Sequence, residues 1–342
     1  MNPRELYIGA DLHERESQLA VFEKDGTLLF EKRLPTKTLR RFISSLPGTK
    51  HVGAESVGFI YPIYDELSGI QDCDVSVCNP NTIRERAKSK IKNDRVDART
   101  VGDLLRTNYF PKSHMPDEGT REKRLLTKER VTYGTKQAEL KNSIKWMLKR
   151  RGIEVRKPLS IQGREQLRSL HLAEIDRRLR ELELVESIVD ELDGRIRAVA
   201  STDAKAKLLD TIPGLGPYTA LFLSSSLDDV SRFADSKQAC AYIGLVPSLH
   251  QSGDVSYTGH ITRLGNKWLR RNLVECARWS VRKDPHIKEF FLRIMHKKGK
   301  KKAYVAVARK LVAYAYWLLK RNVTYQELAP WKNDRGQSSN FE

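Results

Sequence analysis

The sequence predicts an α/β domain followed by two mainly helical regions and a short polar tail. Three observations lead to this fold class. Apolar segments of strand length alternate with helical spacings over residues 1–110. Within residues 111–200, a long charged stretch carries apolar residues at every third or fourth position, as an amphipathic helix does. Helical patterns interrupted by glycine and proline occupy residues 201–325, and the polar residues 326–342 are expected to form a flexible tail.

The first domain, residues 1–110, begins with three predicted antiparallel strands. Residues 6–10 form an apolar strand that ends at Asp11, and the pair Asp25-Gly26 between the next two strands is a strong hairpin signal. The later elements are helix 38–46, strand 51–54, helix 60–67, strand 74–78 and a helix that begins within residues 92–99. This β-β-β-α-β-α-β-α order matches the ribonuclease-H-like architecture of RuvC-type nucleases, which carries acidic residues at the ends of its first and fourth strands.

The middle region, residues 111–200, contains a basic helix followed by a long amphipathic one. Residues 111–160 hold 14 Lys and Arg against 6 Asp and Glu, whereas residues 161–200 hold 7 against 9. The apolar positions between residues 163 and 197 suit two arrangements. The second helix packs either in a hairpin against the basic helix or in a coiled coil between subunits, and the sequence does not distinguish them.

The composition indicates a soluble, cytoplasmic protein that binds polyanions. Lys and Arg number 62 against 43 Asp and Glu, which gives a formal net charge of +19. A positive surface attracts polyanions, and nucleic acid is the most abundant polyanion of the cytoplasm. The alternative is a generically basic protein with no nucleic-acid partner, because net charge alone does not distinguish the two. The four cysteines show no C-x-x-C pair and no zinc-finger spacing, and no segment predicts a membrane span or a signal peptide.

Four carboxylates form the sharpest candidate catalytic set: Asp11, Glu55, Asp94 and Asp97. Asp94 and Asp97 lie three residues apart at the start of a predicted helix and therefore share a face. Asp11 and Glu55 end strands that are neighbours in a ribonuclease-H-like sheet. Converging carboxylates need cations, and hard oxygen ligands suit Mg²⁺, with Mn²⁺ as an alternative; two Mg²⁺ ions ~3.5–4 Å apart stabilise both oxygens of a phosphodiester displacement. Taken singly, Asp94 is also consistent with a helix cap and Asp11 with a plain strand end.

Two basic clusters are candidate nucleic-acid-binding surfaces. The first is a helical face followed by two arginines: Lys141, Lys145, Lys149, Arg150 and Arg151. The second precedes the last long predicted helix: Arg293, Lys297, Lys298, Lys300, Lys301 and Lys302. Solvated helix faces usually mix charges of both signs, so clusters of one sign favour contacts with phosphate.

The segment from Ile212 to Ala220 resembles the hairpin of a helix-hairpin-helix element. Its two glycines, Gly214 and Gly216, would let backbone N–H groups approach a DNA phosphate without an intervening side chain. Such a contact reads no base sequence. The alternative is a plain packing corner between two helices.

A loop further along the chain holds a candidate nucleophile, Ser252, within Gln251-Ser252-Gly253. A serine beside a glycine can be exposed for attack on a phosphodiester, with Arg263 and Arg270 holding the target phosphate. The Ser-Gly pair is equally typical of an ordinary turn.

These motifs together resemble the DEDD transposases of bacterial insertion sequences, a family that includes Piv-type DNA invertases and bridge-RNA-guided serine recombinases. The resemblance covers almost the whole chain. Its motifs are Ile8 to His13, Glu55 to Gly58, Asn79-Pro80, Lys92 to Ala98, Pro213 to Gly216, Gly244 to Pro247, Gln251 to Gly253 and Ala306 to Leu311. Two departures, Asn93 where a threonine is usual and Glu14 where a lysine is usual, affect no proposed ligand.

The resemblance implies a metal-binding tetrad of Asp11, Glu55, Asp94 and Asp97 in a RuvC-like domain, and Ser252 as the nucleophile of a C-terminal transposase domain. It also implies strand exchange between donor and target DNA at the bacterial nucleoid. A structured noncoding RNA would guide target choice, and the family forms dimers to tetramers in which one subunit's serine meets another's carboxylates.

Two other functions remain open from the sequence. A RuvC-like, metal-dependent, structure-specific nuclease would use the four carboxylates and water, with Ser252 incidental. A nucleic-acid-binding protein without catalytic activity would keep the acidic cluster as a structural feature. A covalent protein–DNA adduct distinguishes the serine mechanism from both.

Overall fold

The computed structural model describes residues 4–80, 82–83, 93–252, 255–262 and 265–328, and for residues 249–258 it describes backbone only. The chain divides into two compact units, Met1–Met115 and Pro116–Glu342. The regions 111–200 and 201–325, which the sequence separates, share the second unit almost entirely. Each unit has its own core.

The first unit is built on a mixed five-stranded sheet. Its strands are β1 (Glu5–Leu12), β2 (Glu16–Glu23), β3 (Leu28–Pro35), β4 (Thr49–Glu55) and β5 (Cys73–Cys78). The strand order is β3-β2-β1-β4-β5, with β1, β2 and β3 antiparallel and β4 and β5 parallel to β1. Among the residues that the structure describes, three α-helices accompany the sheet: α1 (Leu39–Ser44), α2 (Ile60–Ser68) and α3 (Asp94–Arg106). The element order predicted from the sequence, and the mixed α/β class, are confirmed.

The sheet is covered on both faces because its central strands are apolar on both. Alternate residues of β1, such as Ile8, pack with α1 and α2 in one buried cluster. On the other face, Gly9 lies against α3: a Cβ atom there would sit 1.9 Å from the carbonyl oxygen of Ala98. The absence of a side chain at Gly9 therefore lets the backbone of α3 pack directly on β1.

The start of α3 is fixed by a cap and an ion pair. Asn93 is the N-cap, and its side chain accepts a hydrogen bond from the Arg95 backbone N–H at 3.1 Å. One turn later, the Arg99 guanidinium donates two hydrogen bonds of 2.7 Å to the Glu31 carboxylate on β3. These contacts hold the first turn of α3, with Asp94 and Asp97, at one end of the sheet.

The second unit begins with a helical hairpin. Its helices are α4 (Glu118–Arg150), α5 (Ile161–Ser169) and α6 (Ala173–Thr202). Buried residues of all three helices, including Ile144, Leu167 and Leu179, form a separate core near its tip. Arg130 of α4 also makes a two-bond ion pair with Asp193 of α6, at 2.7 and 3.0 Å. Of the two arrangements left open by the sequence, the structure has the hairpin within one chain.

The rest of the second unit is a helical domain that carries a two-stranded ribbon. Its helices are α7 (Ala204–Asp210), α8 (Pro217–Leu227), α9 (Ser236–Ile243), α10 (Lys267–Lys283), α11 (Pro285–Lys298), α12 (Lys300–Arg321) and α13 (Tyr325–Leu328). The ribbon consists of β6 (Pro247–Ser252) and β7 (Val255–Ile261), paired antiparallel. The expectation of a mainly helical C-terminal region is confirmed, but the segment expected to be a loop around Ser252 is a β-ribbon.

Helix α12 forms the centre of this domain. Val307, Leu311 and Tyr316 are fully buried, and the Tyr316 hydroxyl donates to the carbonyl oxygen of Phe233 at 3.3 Å. The chain stays packed beyond α12, because Tyr325 and Leu328 are also buried. The predicted tail therefore begins later than residue 326, and its residues 329–342 lie outside the described part of the chain. Among the described helices, none is both long and apolar enough to cross a membrane.

Candidate functional site

Two carboxylates and one histidine meet at the carboxyl end of β1. The Nε2 atom of His13 lies 3.3 Å from Oδ2 of Asp11 and 3.7 Å from Oδ2 of Asp94. One potential ligand atom from each of the three residues lies within 4.8 Å of the others. Strand β1 supplies Asp11, the following residues supply His13, and the first turn of α3 supplies Asp94.

The electrostatics of this cluster favour a cation. Burial is the main cause that raises the pKa of Asp11 above its ordinary value, and the negative charges of Asp94 and Asp97 raise it further. His13 acts in the opposite direction. The site therefore gathers more negative charge than one imidazole offsets, and a bound cation would relieve that repulsion.

Glu55 and Asp97 lie close to this cluster without joining its closest set. In the parallel pairing of β1 and β4, Ala10 stands opposite Ala54, so Asp11 and Glu55 are the next residues of adjacent strands. Among the described residues, the group with ligand atoms within 4.8 Å is Asp11, His13 and Asp94. The structure thus brings Asp11 and Asp94 together, and it places Glu55 and Asp97 at the same end of the sheet.

The helix-cap alternative for Asp94 does not match the structure. Asn93 is the N-cap of α3, and Asp94 is the first residue of the helix. A carboxylate there gains from the helix dipole, but it leaves its oxygens available to a ligand. Asn93 stands where the family resemblance would have a threonine. The replacement preserves the helix cap, since asparagine and threonine are both good N-cap residues.

The donor set at the end of β1 fits a divalent cation. Carboxylate oxygens are the ligands that Mg²⁺ and Mn²⁺ take in proteins, and Asp11 is held partly out of water, with 21% of its side chain exposed. His13 was not among the sequence-predicted ligands. Its signal was its position two residues after Asp11, since alternate residues of an extended chain point to the same side.

The neighbouring Cys78 is not a candidate nucleophile. It is buried at the end of β5, opposite Glu55 in the strand register. Burial, and then the negative charge of Glu55, raise the pKa of Cys78 to about 12. The thiol therefore stays protonated at neutral pH.

In the second unit, Ser252 is the last residue of β6, and its backbone pairs with Val255 of β7. For Ser252 the structure describes the backbone. Gly253 and Arg263 lie outside the described residues. The structure therefore places Ser252 at the tip of the ribbon.

Arg270 differs from its sequence-based expectation as a phosphate ligand. Arg270 is only 9% exposed, and its guanidinium donates a hydrogen bond to the carbonyl oxygen of Ile243 at 3.2 Å. Helix α10 is amphipathic, and Arg270 belongs to its buried face together with Leu269 and Leu273. Arg270 therefore ties α10 to the end of α9 and is not on the surface.

The two glycines of the predicted helix-hairpin-helix element have different surroundings. Gly214 has φ of +93°, and a Cβ atom there would lie 2.5 Å from the backbone nitrogen of Ser280 on α10. Gly216 is the N-cap of α8, and a Cβ atom there would meet no atom within 4 Å. The packing-corner alternative accounts for Gly214, whereas no packing contact requires a glycine at position 216.

The basic residues of α4 are not equivalent. Lys141 is half-buried and pairs with Glu186 of α6 at 3.1 Å, so it stabilises the hairpin. Arg151 pairs with Glu174, and Arg150 lies over the Trp146 ring at 4.9 Å. Lys145 and Lys149 are exposed. Helical periodicity predicted one uniform basic face, but the neighbouring helix carries acids that meet only part of it.

A strongly basic cleft lies between α9, α11, α12 and the base of the β6–β7 ribbon, with a volume of about 840 Å³. Among its described lining residues, none is acidic and eight are basic. The basic residues are Lys237, Arg293, Lys297, Lys298, Lys301, Lys302, Arg309 and Lys310. Four of the five lysines predicted from the sequence line this cleft; Lys300 is exposed beside it. Lys237 was missed because it is remote in sequence.

Comparison with known protein families identifies the chain. A profile described as "Transposase" matches residues 8–152, and a profile described as "Transposase IS116/IS110/IS902 family" matches residues 206–292. The chain belongs to the IS110/IS116/IS902 family of transposases. The family recognised from the sequence motifs is therefore confirmed, and its members act in DNA transposition or recombination.

Two relatives of this transposase align with most of its length, and a third aligns with little more than a third of it. The transposase for insertion sequence element IS1328 of Yersinia enterocolitica is 29% identical over 288 residues, which is 81% of this chain and 84% of that protein. The transposase for IS1111A of Coxiella burnetii is 24% identical over 347 residues, 93% and 91% of the two chains. A pilin gene-inverting protein of Moraxella bovis is 33% identical over 130 residues, 37% and 40% of the two chains.

The two profiles divide the transposase's candidate residues between them. The first range, residues 8–152, includes Asp11, Glu55, Asp94 and Asp97 and the basic face of α4. The second range, residues 206–292, includes the Gly214 corner and Ser252. The lysines of the basic cleft lie mostly after the second range, on α11 and α12.

Proposed function

We propose that this transposase cleaves and exchanges DNA strands with Ser252 as nucleophile, assisted by a carboxylate site that holds Mg²⁺ or Mn²⁺. The observation that carries the proposal is the meeting of Asp11 and Asp94 at the carboxyl end of the central strand. Glu55, at the end of the adjacent parallel strand, and Asp97, one turn into α3, complete the proposed tetrad.

The strand order supports a ribonuclease-H-like domain for this site. Three antiparallel strands followed by two parallel ones, in the order β3-β2-β1-β4-β5, give the arrangement expected of RuvC-type nucleases. In that arrangement β1 is central, so a residue at its end is reached from both β4 and α3. We therefore assign the metal-binding role in DNA cleavage to the first unit, while the proposed nucleophile, Ser252, belongs to the second.

The residues of this site divide into ligands and supports. Asp11 and Asp94 hold the cation, while Asn93 and Arg99 fix the end of α3 that carries Asp94. A bound divalent cation would supply charge neutralisation at the reacting phosphate and would favour loss of the proton from the attacking hydroxyl. The raised pKa of Asp11 is consistent with a site whose negative charges are neutralised when a cation binds.

Ser252 is proposed as the residue that attacks DNA. Its hydroxyl oxygen forms a bond to phosphorus, the bond from phosphorus to the 3′ oxygen breaks, and the serine proton ends on solvent or on the departing oxygen. The covalent phosphoserine keeps the energy of the phosphodiester for rejoining. A serine hydroxyl is a poor nucleophile by itself, so this step depends on an activating group.

The basic cleft is proposed as a binding surface for nucleic acid backbone. Its eight cations, with no acid among the described lining residues, would displace counterions from phosphates. It lies beside the base of the ribbon whose tip is Ser252, so a strand held there would approach the proposed nucleophile. Part of this basic surface is proposed to hold a structured guide RNA, and the active form is proposed to be a dimer or tetramer.

The testing experiment uses plasmid DNA that carries the coding region with its natural flanking sequences, RNA transcribed from those flanks, and Mg²⁺ or Mn²⁺. We expect strand cleavage with a protein–DNA adduct that survives denaturation. Ser252→Ala should abolish the adduct, and Asp11→Asn should abolish cleavage. Cleavage without an adduct would instead support a RuvC-like nuclease, and binding without cleavage would support a non-catalytic nucleic-acid-binding protein.

A further inference from the structure

His13 follows the central strand directly, and its side chain joins the carboxylate site. Asp11 and His13 are separated by one residue in an extended segment, so both side chains point to the same side of the chain. Leu12 between them points the other way and is buried in the core of the first unit. The core contact of Leu12 therefore helps fix the orientation of both polar neighbours.

The imidazole lies between the two carboxylates that meet there. Its Nε2 atom is 3.3 Å from Asp11 and 3.7 Å from Asp94, and all three potential ligand atoms fall within 4.8 Å. The His13 side chain is 55% exposed, so the close approach is not imposed by packing around the ring. One nitrogen and two carboxylate oxygens therefore lie close enough together to bind the same ion.

We propose that His13 is a nitrogen ligand of the metal ion held by Asp11 and Asp94. The inference rests on the proposed metal site and adds to it a ligand type that the four-carboxylate set lacks. Imidazole nitrogen binds transition metals such as Mn²⁺ better than it binds Mg²⁺, which prefers oxygen ligands almost exclusively. The mixed site accordingly discriminates in favour of Mn²⁺ more than an all-carboxylate site does.

The test is pulsed electron paramagnetic resonance of the full-length protein loaded with Mn²⁺. A directly coordinated imidazole gives a ¹⁴N modulation of the Mn²⁺ echo, which carboxylate and water ligands do not give. We expect this modulation in the unmodified protein and its loss in His13→Ala. His13 is exposed and outside the buried clusters, so the substitution should leave the fold intact, as checked by circular dichroism.

Two variants serve as controls. His51 is a matched histidine, since its Nδ1 atom also lies near a carboxylate, 3.8 Å from Oδ2 of Asp74, and His51→Gln should keep the modulation. His13→Gln offers an amide oxygen in place of the nitrogen, so it should lose the modulation while keeping more of its Mg²⁺ affinity than of its Mn²⁺ affinity. We expect the Mn²⁺ dissociation constant of His13→Ala to rise at least ~10-fold.

The possible outcomes separate this inference from the proposed function. Mn²⁺ bound with Asp11-dependent affinity but without ¹⁴N modulation would overturn the role of His13 and leave the carboxylate site intact. Mn²⁺ binding that Asp11→Asn does not change would overturn the carboxylate site itself. A modulation that persists in His13→Ala would assign the nitrogen to another residue and overturn the inference.

Discussion

Gly9 and Gly102 face each other where α3 crosses β1, and a Cβ atom on Gly9 would lie 2.4 Å from the backbone nitrogen of Gly102. This approach is too close for any side chain. It brings the first turn of α3 to the end of β1, where Asp94 comes near Asp11. The candidate metal site therefore depends on two residues that contribute no functional group.

Gly9→Ala should separate α3 from β1 and disrupt the site. The added methyl group would clash with the carbonyl oxygen of Ala98, and overpacking of this kind costs ~1–3 kcal/mol or more of unfolding free energy. Urea denaturation measures the loss, and Mn²⁺ titration should show weaker binding. Gly58→Ala is the matched control, since no atom lies within 4 Å of its added Cβ. Equal stability of the two variants would contradict the close packing.

Asp11→Asn and Asp97→Asn should abolish metal-dependent cleavage while leaving DNA binding unchanged or slightly tighter. The loss of one carboxylate weakens the hold on the cation but also lessens repulsion of phosphate. We expect cleavage to fall by ~10³-fold, corresponding to several kcal/mol of transition-state stabilisation. Cleavage assays and equilibrium binding on the same DNA separate the effects. Asp103→Asn, on an exposed ion pair of α3, is the control.

Ser252→Ala should stop formation of the covalent adduct without affecting metal binding. Because the proposed active form shares sites between subunits, a mixture of Ser252→Ala and Asp11→Asn proteins should recover part of the recombination activity. Neither variant alone should do so. Ser248→Ala, four residues earlier on β6, is the control and should keep the adduct. Absence of recovery in the mixture would favour a site completed within one chain, and an adduct formed by Ser252→Ala at the unmodified level would remove Ser252 from the mechanism.

Nucleic acid binding should weaken steeply with salt, and the basic cleft should account for much of the dependence. Six or more phosphate contacts imply an affinity loss of ~10³-fold or greater between roughly 50 and 200 mM salt. The double variant Lys298→Gln/Lys301→Gln should lower the slope of log affinity against log salt by ~0.9 for each phosphate of duplex DNA that is no longer neutralised. Arg178→Gln, from a surface ion pair with Glu181, should leave the slope unchanged.

The same measurement distinguishes the basic residues of α4. Lys145→Gln and Lys149→Gln should weaken binding for all sequences alike, because exposed lysines contact phosphate and not bases. Lys141→Gln should act mainly on hairpin stability, since Lys141 pairs with Glu186. An equal effect of all three substitutions on binding would contradict this distinction.

The hairpin should lose stability in acid. Burial alone raises the pKa of Glu186, but hydrogen bonds from Arg164 and Lys141 outweigh it and hold the pKa below its ordinary value of 4.5. A carboxylate with a lowered folded-state pKa stabilises the protein above its unfolded pKa, and this contribution disappears as the pH falls through the folded value. The stability difference between the unmodified protein and Glu186→Gln should therefore be larger at pH 7 than at pH 3. Glu191→Gln, exposed on α6, should show a smaller pH-dependent difference.

The sequence predicted the elements of the first unit because strands and hairpins leave local signals. Asp25-Gly26 marks a turn, and apolar runs that end at Asp11 and Glu55 mark strands. The same motifs identified the transposase family, which the profile matches confirm. The segment around Ser252 was harder, because a six-residue polar strand such as β6 lacks the apolar alternation that distinguishes a ribbon from a loop.

Local periodicity alone determined which residues share a face, but not what that face meets. Lys141, Lys145 and Lys149 repeat evenly along α4, yet only the packing of α6 decides that Lys141 is paired and the others are exposed. Arg270 is buried and His13 joins Asp11 and Asp94 for the same reason. Charge pairing and burial depend on distances between residues that are remote in the chain, so tertiary packing decided these properties. The contact between Gly9 of β1 and Gly102 of α3 is one part of that packing.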